Sequence, residues 1–178
     1  MERLAETLII PAGPGDAVDL AEVHVRAWRE TYPGHLPAAY LAKMSIPAHA
    51  RRWRHQLMRA GPGDVVLAAE GPSGLVGYAA GAMTSKTQNE AEIFTLYLLR
   101  SHQKIGLGRR LMEATARALA AQGAKSLRVW VLSSNDAARR FYGHLGGVDA
   151  AERPVRGWGG DLMETAYHWR DIGALTGR

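Results

Sequence analysis

The chain has 178 residues, enough for one domain with a sizeable core, and it contains no cysteine. That absence excludes a disulfide framework, a cysteine-held zinc site and any acyl-cysteine intermediate. The formal charge of +5 comes from 22 basic and 17 acidic side chains spread along the chain, which predicts neither a nucleic-acid partner nor a membrane surface.

No apolar run reaches membrane-spanning length and no basic, apolar leader opens the chain, so a cytoplasmic protein is expected. Leu8-Ile9-Ile10 before Pro11 predicts a short strand. Asp16 to Glu30 predicts a helix with Asp16 as N-cap and Ala17, Leu20, Ala21, His24 and Ala27 or Trp28 along one side. Tyr32-Pro33-Gly34 ends it. Leu36 to Leu41 predicts a short second helix, and Pro47 to Ala60 a third that stops at Gly61-Pro62-Gly63. Within the third, Arg51-Arg52-Trp53-Arg54-His55 reads as a solvated face with Trp53 and Leu57 turned inward. Val65 to Ala69 and Leu75 to Met83 predict a hairpin around Gly71-Pro72-Ser73-Gly74, followed by a polar connection over Thr84 to Asn89.

The stretch from Glu90 to Met112 organises the rest. Ile93 to Leu99 is apolar almost without interruption and predicts a strand buried on both faces. Alternation sets Glu92, Phe94, Leu96 and Leu98 on one face and Ile93, Thr95 and Tyr97 on the other. Ser101-His102-Gln103 is a polar turn, and Gly106 and Gly108 lead into a helix with Leu107, Leu111, Ala114 and Ala118 on its apolar side. The first amides of such a helix lack internal partners and lie at its positive end, where a phosphate can be accepted; the alternative for a lone G-x-G is an ordinary helix start in which the glycines only serve the turn. Arg109 and Arg110 add charge beside them. A dinucleotide fingerprint fails because Leu111 stands where its third glycine would be, and no Gly-Lys pair followed by Ser or Thr provides a P-loop.

Further on, Ser126 to Leu132 predicts a strand and Asn135 to Tyr142 a capped helix. Val148 to Ala150 is a short strand, Arg153 to Gly160 a loop, Leu162 to Trp169 a closing strand and Asp171 to Arg178 a loose tail. The sum is a mixed α/β fold of six or seven strands with helices on both faces, in a single domain over residues 1–178.

Gln103-Lys104-Ile105-Gly106-Leu107-Gly108, directly after a strand, resembles the Q/R-x-x-G-x-G/A signature of the GNAT superfamily of acyl-CoA-dependent N-acetyltransferases. Asn135-Asp136-Ala137-Ala138-Arg139-Arg140-Phe141-Tyr142 is similar to that family's second block, N-x-x-A-x-x-F-Y. The resemblance runs from about the first helix to the last strand and is weakest over the acceptor-binding segments. It implies a mostly antiparallel central sheet splayed in its middle, acetyl-CoA as co-substrate with no metal, and direct transfer to a primary amine in a ternary complex. The acceptor would be a small molecule or a peptide, held under the first helices, and a homodimer is compatible. Cofactor contacts are implied at Gln103, Lys104, Ile105, Gly106, Leu107, Gly108 and Arg109. Backbone contacts are implied from Leu96, Tyr97 and Leu98, with Leu98 preferred for the thioester oxygen. One departure is Gly146-Gly147-Val148, where many relatives carry Gly-Phe.

Acyl transfer to an amine requires a base for the acceptor, a donor for the carbonyl oxygen and an acid for the departing thiolate. The resemblance implies Tyr142 as the acid; a phenol is protonated at neutral pH. Asn135 suits a helix N-cap, and the resemblance adds a contact to the pantetheine or sulfur region. The resemblance implies a carboxylate base near the start of this strand, which falls on Glu92, with Glu90 or a chain of waters as alternatives and a plain charged residue at a sheet end as the other reading; its environment must raise its pKa for that task. His49 and His55 fall on different helix faces, no H-E-x-x-H occurs, and no metal-ligand spacing is present. His24, Trp28, Tyr32 and His35 read as a core stripe near the acceptor. Two other classes compete with the enzyme: a non-catalytic acyl-CoA-binding module and a basic nucleic-acid binder.

Overall fold

A computed structural model describes residues 7–85, 89–155 and 161–177. Its elements are β1 (Leu8–Pro11), α1 (Ala17–Thr31), α2 (Ala38–Lys43), α3 (Ile46–Met58), β2 (Asp64–Gly71), β3 (Gly74–Ser85), β4 (Glu90–Leu98), α4 (Leu107–Ala121), β5 (Ser126–Leu132), α5 (Asp136–His144), β6 (Val148–Pro154), β7 (Met163–Trp169) and α6 (Gly173–Thr176). The strands form one seven-stranded sheet in the order β1-β2-β3-β4-β5-β7-β6. Every neighbouring pair is antiparallel except β4 and β5. A parallel pair cannot be closed by a tight turn, and α4 supplies the crossover. The expected mixed α/β sheet is therefore present, with seven strands. Among the described residues, no helix is long and apolar enough to cross a membrane.

One face of the sheet is covered by α1 and α3. Leu20, Ala21 and Val23 of α1 pack with Trp53 and Leu57 of α3 over Tyr78 of β3, and Arg51, Arg52 and Arg54 stay in solvent as predicted. Ser45 caps α3 by accepting the Ala48 N–H at 3.4 Å. Asp16 does not cap α1; its carboxylate accepts the Gly13 N–H at 2.7 Å and closes the short turn before the helix.

The other face is covered by α4. Its buried residues are Leu107, Leu111, Met112, Thr115, Ala116 and Leu119, so the expected side through Ala114 and Ala118 is rotated. Met112 and Leu119 each remove more apolar area from water than an alanine, and the helix turns to bury them. The predicted loose tail is also corrected: Ile172 and Leu175 are buried in the same core as α4, and the Ile172 N–H donates to the Lys125 carbonyl at 2.8 Å. Strand β6 reaches Pro154, so Arg153 and Pro154 belong to a strand rather than a loop. As the edge strand with every residue exposed it shows no alternation, and a proline is tolerated there. Residues 156–160 of the expected loop lie outside the described residues. The glycine pair is met by Trp169: a Cβ on Gly147 would stand 2.6 Å from its ring, and its indole N–H donates to the Leu145 carbonyl at 2.9 Å.

Two irregularities in β4 position the site. Ala80 of β3 pairs with Thr95 and Gly81 pairs with Ile93, so Phe94 is an extra, bulged residue. One inserted residue reverses the alternation beyond it. Ile93, Leu96 and Leu98 consequently all pack towards α4, while Tyr97 packs towards α1. Glu92 alternates with Ile93, so it shares the face of Tyr97 and not that of Leu96 and Leu98. Phe94 is 51% exposed, which corrects the expectation of a strand buried on both faces.

The second irregularity is the early end of the β4–β5 ladder. It pairs Glu90 with Ser126, Ala91 with Leu127, Glu92 with Arg128 and Ile93 with Val129, then stops. Beyond that point β4 stays with β3 and β5 with β7. The sheet parts in its middle.

Candidate active site

The parting strands open a cleft of about 1030 Å³. Gln103, Lys104, Gly106, Gly108 and Arg109 line one end of it, and Glu92, Trp130, Arg153 and Glu164 the other. At the first end, Gly106 is the N-cap residue of α4 with φ 87°, a left-handed conformation that a side chain would strain. No side chain caps α4 there, so its first amides retain their capacity for an anion. Gly108 serves packing: a Cβ on it would touch the Phe141 ring at 3.4 Å.

The side chains expected around this loop divide. Lys104, Arg109 and Arg100 border the cleft, with Arg109 lying 3.7 Å from Glu113. Arg110 is drawn away by the Thr7 carbonyl, to which it donates at 3.1 Å. The side chains of Ile105 and Leu107 pack into the core with Leu98 and Leu111, so these two residues offer only backbone. Gln103 spends its amide on the Leu98 carbonyl, 3.0 Å away, and thereby ties the loop to the end of β4.

Backbone direction settles which amides face the gap. The Leu99 N–H donates to the Val76 carbonyl of β3 at 2.9 Å. In an antiparallel ladder the amides alternate in direction, so Tyr97 also points at β3 while Leu96 and Leu98 point away from it. The β5 side is where the ladder has ended. Two of the three expected backbone donors thus open into the cleft, and the Tyr97 amide does not.

Tyr142 and Asn135 both line the cleft from α5. Asn135 caps the helix as expected, accepting the Ala138 N–H at 3.1 Å. Tyr142 is 6% exposed and packs against Phe141, Tyr167 and Trp169. Burial pushes its hydroxyl pKa up, and the Tyr32 phenol adds to the rise. Glu92 is half-buried, and desolvation raises its carboxyl above the usual range. The charges of Arg153 and Arg128 oppose that rise, Glu164 adds to it, and the Trp130 indole pulls weakly without reaching hydrogen-bond geometry. Glu90 is held by Arg128 at 2.5 Å and does not line the cleft, so of these two candidate bases Glu92 is the one that faces it.

Sequence reasoning did not pair the groups that meet at the second end. Arg153 lies over the Trp130 ring at 3.9 Å and is paired with Glu164. His35 meets Ser134 at 2.9 Å across the cleft rim. The hydroxyls of Tyr32 and Tyr97 meet at 3.3 Å. These pairs join residues far apart in the chain, so no spacing announces them. Deeper still, His24 shares a hydrogen bond of 2.6 Å with Tyr78.

A sheet split beside an uncapped, glycine-led helix defines a protein built to hold an extended anionic ligand between two strands. The model of the Acetyltransferase (GNAT) family matches residues 20–146. The chain belongs to that family. It is 30% identical over 162 residues to the uncharacterized N-acetyltransferase YuaI of Bacillus subtilis (strain 168), covering 90% of this chain and 91% of that protein. Among solved structures it is similar to PaiA N-acetyltransferase from Thermoplasma acidophilum in complex with coenzyme A, at 20% identity and TM-score 0.71, covering 91% and 97% of the two chains. YncA from Salmonella typhimurium, solved with its cofactor acetyl-CoA, gives 21% identity and TM-score 0.70 over 94% of each chain. The fold is that of these neighbours.

Proposed function

We propose that the protein transfers an acetyl group directly from acetyl-CoA to a primary amine of a small molecule or peptide, with both substrates bound at once. The observation that carries this reading is the pair of Leu96 and Leu98 amides opening into the gap, in one continuous cleft with the mouth of α4. The residues fit the donor: uncapped amides behind Gly106 and the cations Arg100, Lys104 and Arg109 suit a diphosphate, and the gap admits a narrow arm. Two fold neighbours were solved with coenzyme A or acetyl-CoA, which supports the same donor here.

In this reading Gln103, Lys104, Ile105, Gly106, Leu107, Gly108 and Arg109 hold the diphosphate end, Ile105, Gly106, Leu107 and Gly108 through backbone. Leu96 and Asn135 steady the arm. The Leu98 N–H bonds the thioester oxygen as negative charge develops on it. Glu92 takes a proton from the acceptor ammonium, which its raised pKa favours. Tyr142, kept protonated by burial, gives its proton to the departing sulfur.

The test is release of coenzyme A from acetyl-CoA on addition of amines, with acetylated product identified by mass. Turnover is expected, and Tyr142→Phe should lower kcat about tenfold or more while acetyl-CoA binds as before. Saturable binding of acetyl-CoA without turnover across a broad amine panel would instead make the protein a non-catalytic acyl-CoA-binding module.

A further inference from the structure

The far end of the cleft carries one charge of each sign with unused hydrogen-bonding capacity. Glu92 faces the cleft, and no described side chain reaches its carboxylate in hydrogen-bond or ion-pair geometry. Arg153 lines the same end, half-exposed, and is gripped along one edge only. Its Nε–H donates to a Glu164 carboxylate oxygen, and its guanidinium carbon lies 3.9 Å from the centre of the Trp130 ring. Those two contacts fix the plane of the group. Its terminal Nη nitrogens, the fork that fits a carboxylate, make no hydrogen bond among the described residues.

Strand register places the two charges beside each other. Glu92 pairs with Arg128 in the β4–β5 ladder, and Trp130 follows Arg128 by two residues, hence on the same face of the sheet. Glu164 opposes both Leu132 of β5 and Arg153 of β6, two residues further along that face. From there the Arg153 side chain reaches back across β7 to lie on Trp130. One strand across and two residues along put the backbones of Trp130 and Glu92 about 8 Å apart. After desolvation, the Arg153 charge is the strongest influence on the Glu92 carboxyl, yet the two side chains form no ion pair. A carboxylate and a guanidinium fork close enough to feel each other and too far apart to pair complement a molecule that carries both an ammonium and a carboxylate. We propose that the acceptor is a free amino acid, with its amine at Glu92 and its carboxylate on the Nη fork of Arg153. The inference rests on the acyl-transfer reading above and names its acceptor class.

Other acceptors fit this end less well. A diamine would bring its second ammonium against the guanidinium, and Glu164, the carboxylate that could hold it, is spent on Arg153. A peptide N-terminus offers a neutral amide where the fork calls for charge. With an amino acid the reaction balances: the C–N bond forms, and the C–S bond breaks with its electron pair on sulfur. Of the two protons that the ammonium loses, one passes through Glu92 to solvent. The other, by way of solvent, restores the proton that Tyr142 gives to sulfur. The N-acetylated product keeps its carboxylate and has lost its ammonium. It is therefore attracted to the fork alone, and its hold on the site weakens as the product forms.

The test measures coenzyme A release with three matched sets of acceptors: free L-amino acids, their carboxamides and the amines left by decarboxylation. For the best amino acid, kcat/KM should exceed that of its carboxamide by about 30-fold, the worth of a charge-assisted pair of hydrogen bonds. The carboxamide has the less basic amine, so this preference cannot come from the nucleophile. Arg153→Gln should remove it, losing about 30-fold on the amino acid and less than about twofold on the carboxamide, with the acetyl-CoA KM unchanged. Arg153→Lys keeps the charge without the fork and should recover only part of the loss; if Arg153→Gln does not fold, it carries the same contrast. Equal losses on acid and carboxamide would make Arg153 merely structural and overturn the proposal. Carboxamides, plain amines or diamines turned over as well as the acids would also overturn it while leaving acyl transfer standing. No turnover of any of the three sets, with acetyl-CoA bound, would overturn both.

Discussion

The two ends of the cleft are built from different materials. The end at α4 consists of helix amides, two glycines and three cations at its border, a plain surface for a charged group of fixed shape. The far end consists of side chains brought together from α1, β4, β5, β6 and β7: Tyr32, Glu92, Trp130, Arg153 and Glu164. Backbone is insensitive to substitution at most positions and can be announced by a short motif. A cluster of side chains has no local signature and can be altered piece by piece, which is how one donor-binding scaffold serves many acceptors.

The contrast predicts that changes at the far end alter rate and that changes at the α4 end alter donor affinity. The largest effect is expected at Glu92. Glu92→Gln should lower kcat about 100-fold with acetyl-CoA affinity intact, read by steady-state kinetics and calorimetry. Because the base must be ionised and its pKa is raised, the wild-type rate should climb with pH until that pKa is passed, and the variant should lose this limb. An unchanged profile would give the base role to water.

Beneath the far end lies a ring that should make its foundation sensitive to acid. Burial pushes the His24 imidazole down to about 3, with the charges of His49 and Arg52 adding to the shift. The unfolded chain therefore binds a proton that the fold does not, and stability present above about pH 6.5 is lost as pH falls towards 3. Urea unfolding should report about 2 kcal/mol lost between pH 7.5 and 5 from this residue, and His24→Gln should flatten that slope.

At the α4 end, Gly106→Val puts a β-branched side chain at φ 87° and should weaken acetyl-CoA binding about tenfold, with kcat at saturation much less affected. Arg109→Ala should weaken it only about threefold at low salt and less at high salt, since this arginine is exposed and shared with Glu113. Equal losses of rate and affinity in Glu92→Gln, Gly106→Val and Arg109→Ala would erase the distinction between the ends.

Legibility in the sequence follows the same divide. Gln103 to Gly108 and Asn135 to Tyr142 could be read because their features are short-range: a turn before a helix, a cap, a helical repeat. The bulge could not, because Phe94 is an ordinary strand residue and only pairing with Ala80 and Gly81 shows that one residue is extra. That single insertion moved Glu92 and Tyr97 to the same side, against simple alternation. The full length of β6 leaves no pattern in the sequence, because its Asp149-Ala150-Ala151-Glu152 lies at an open edge and buries nothing. Tyr32 with Tyr97, and His24 with Tyr78, are 65 and 54 residues apart and meet only through the fold.

The last turn of the chain has a reach that its length conceals. Ile172 and Leu175 share a core with Met112, Ala116 and Leu119, on the same helix whose opposite tip would greet the diphosphate. Were α4 to loosen when the tail undocks, a donor bound at that tip would favour docking, and by linkage docking would favour the donor. A protease clipping after Asp171 should therefore work more slowly on the acetyl-CoA complex than on the free protein.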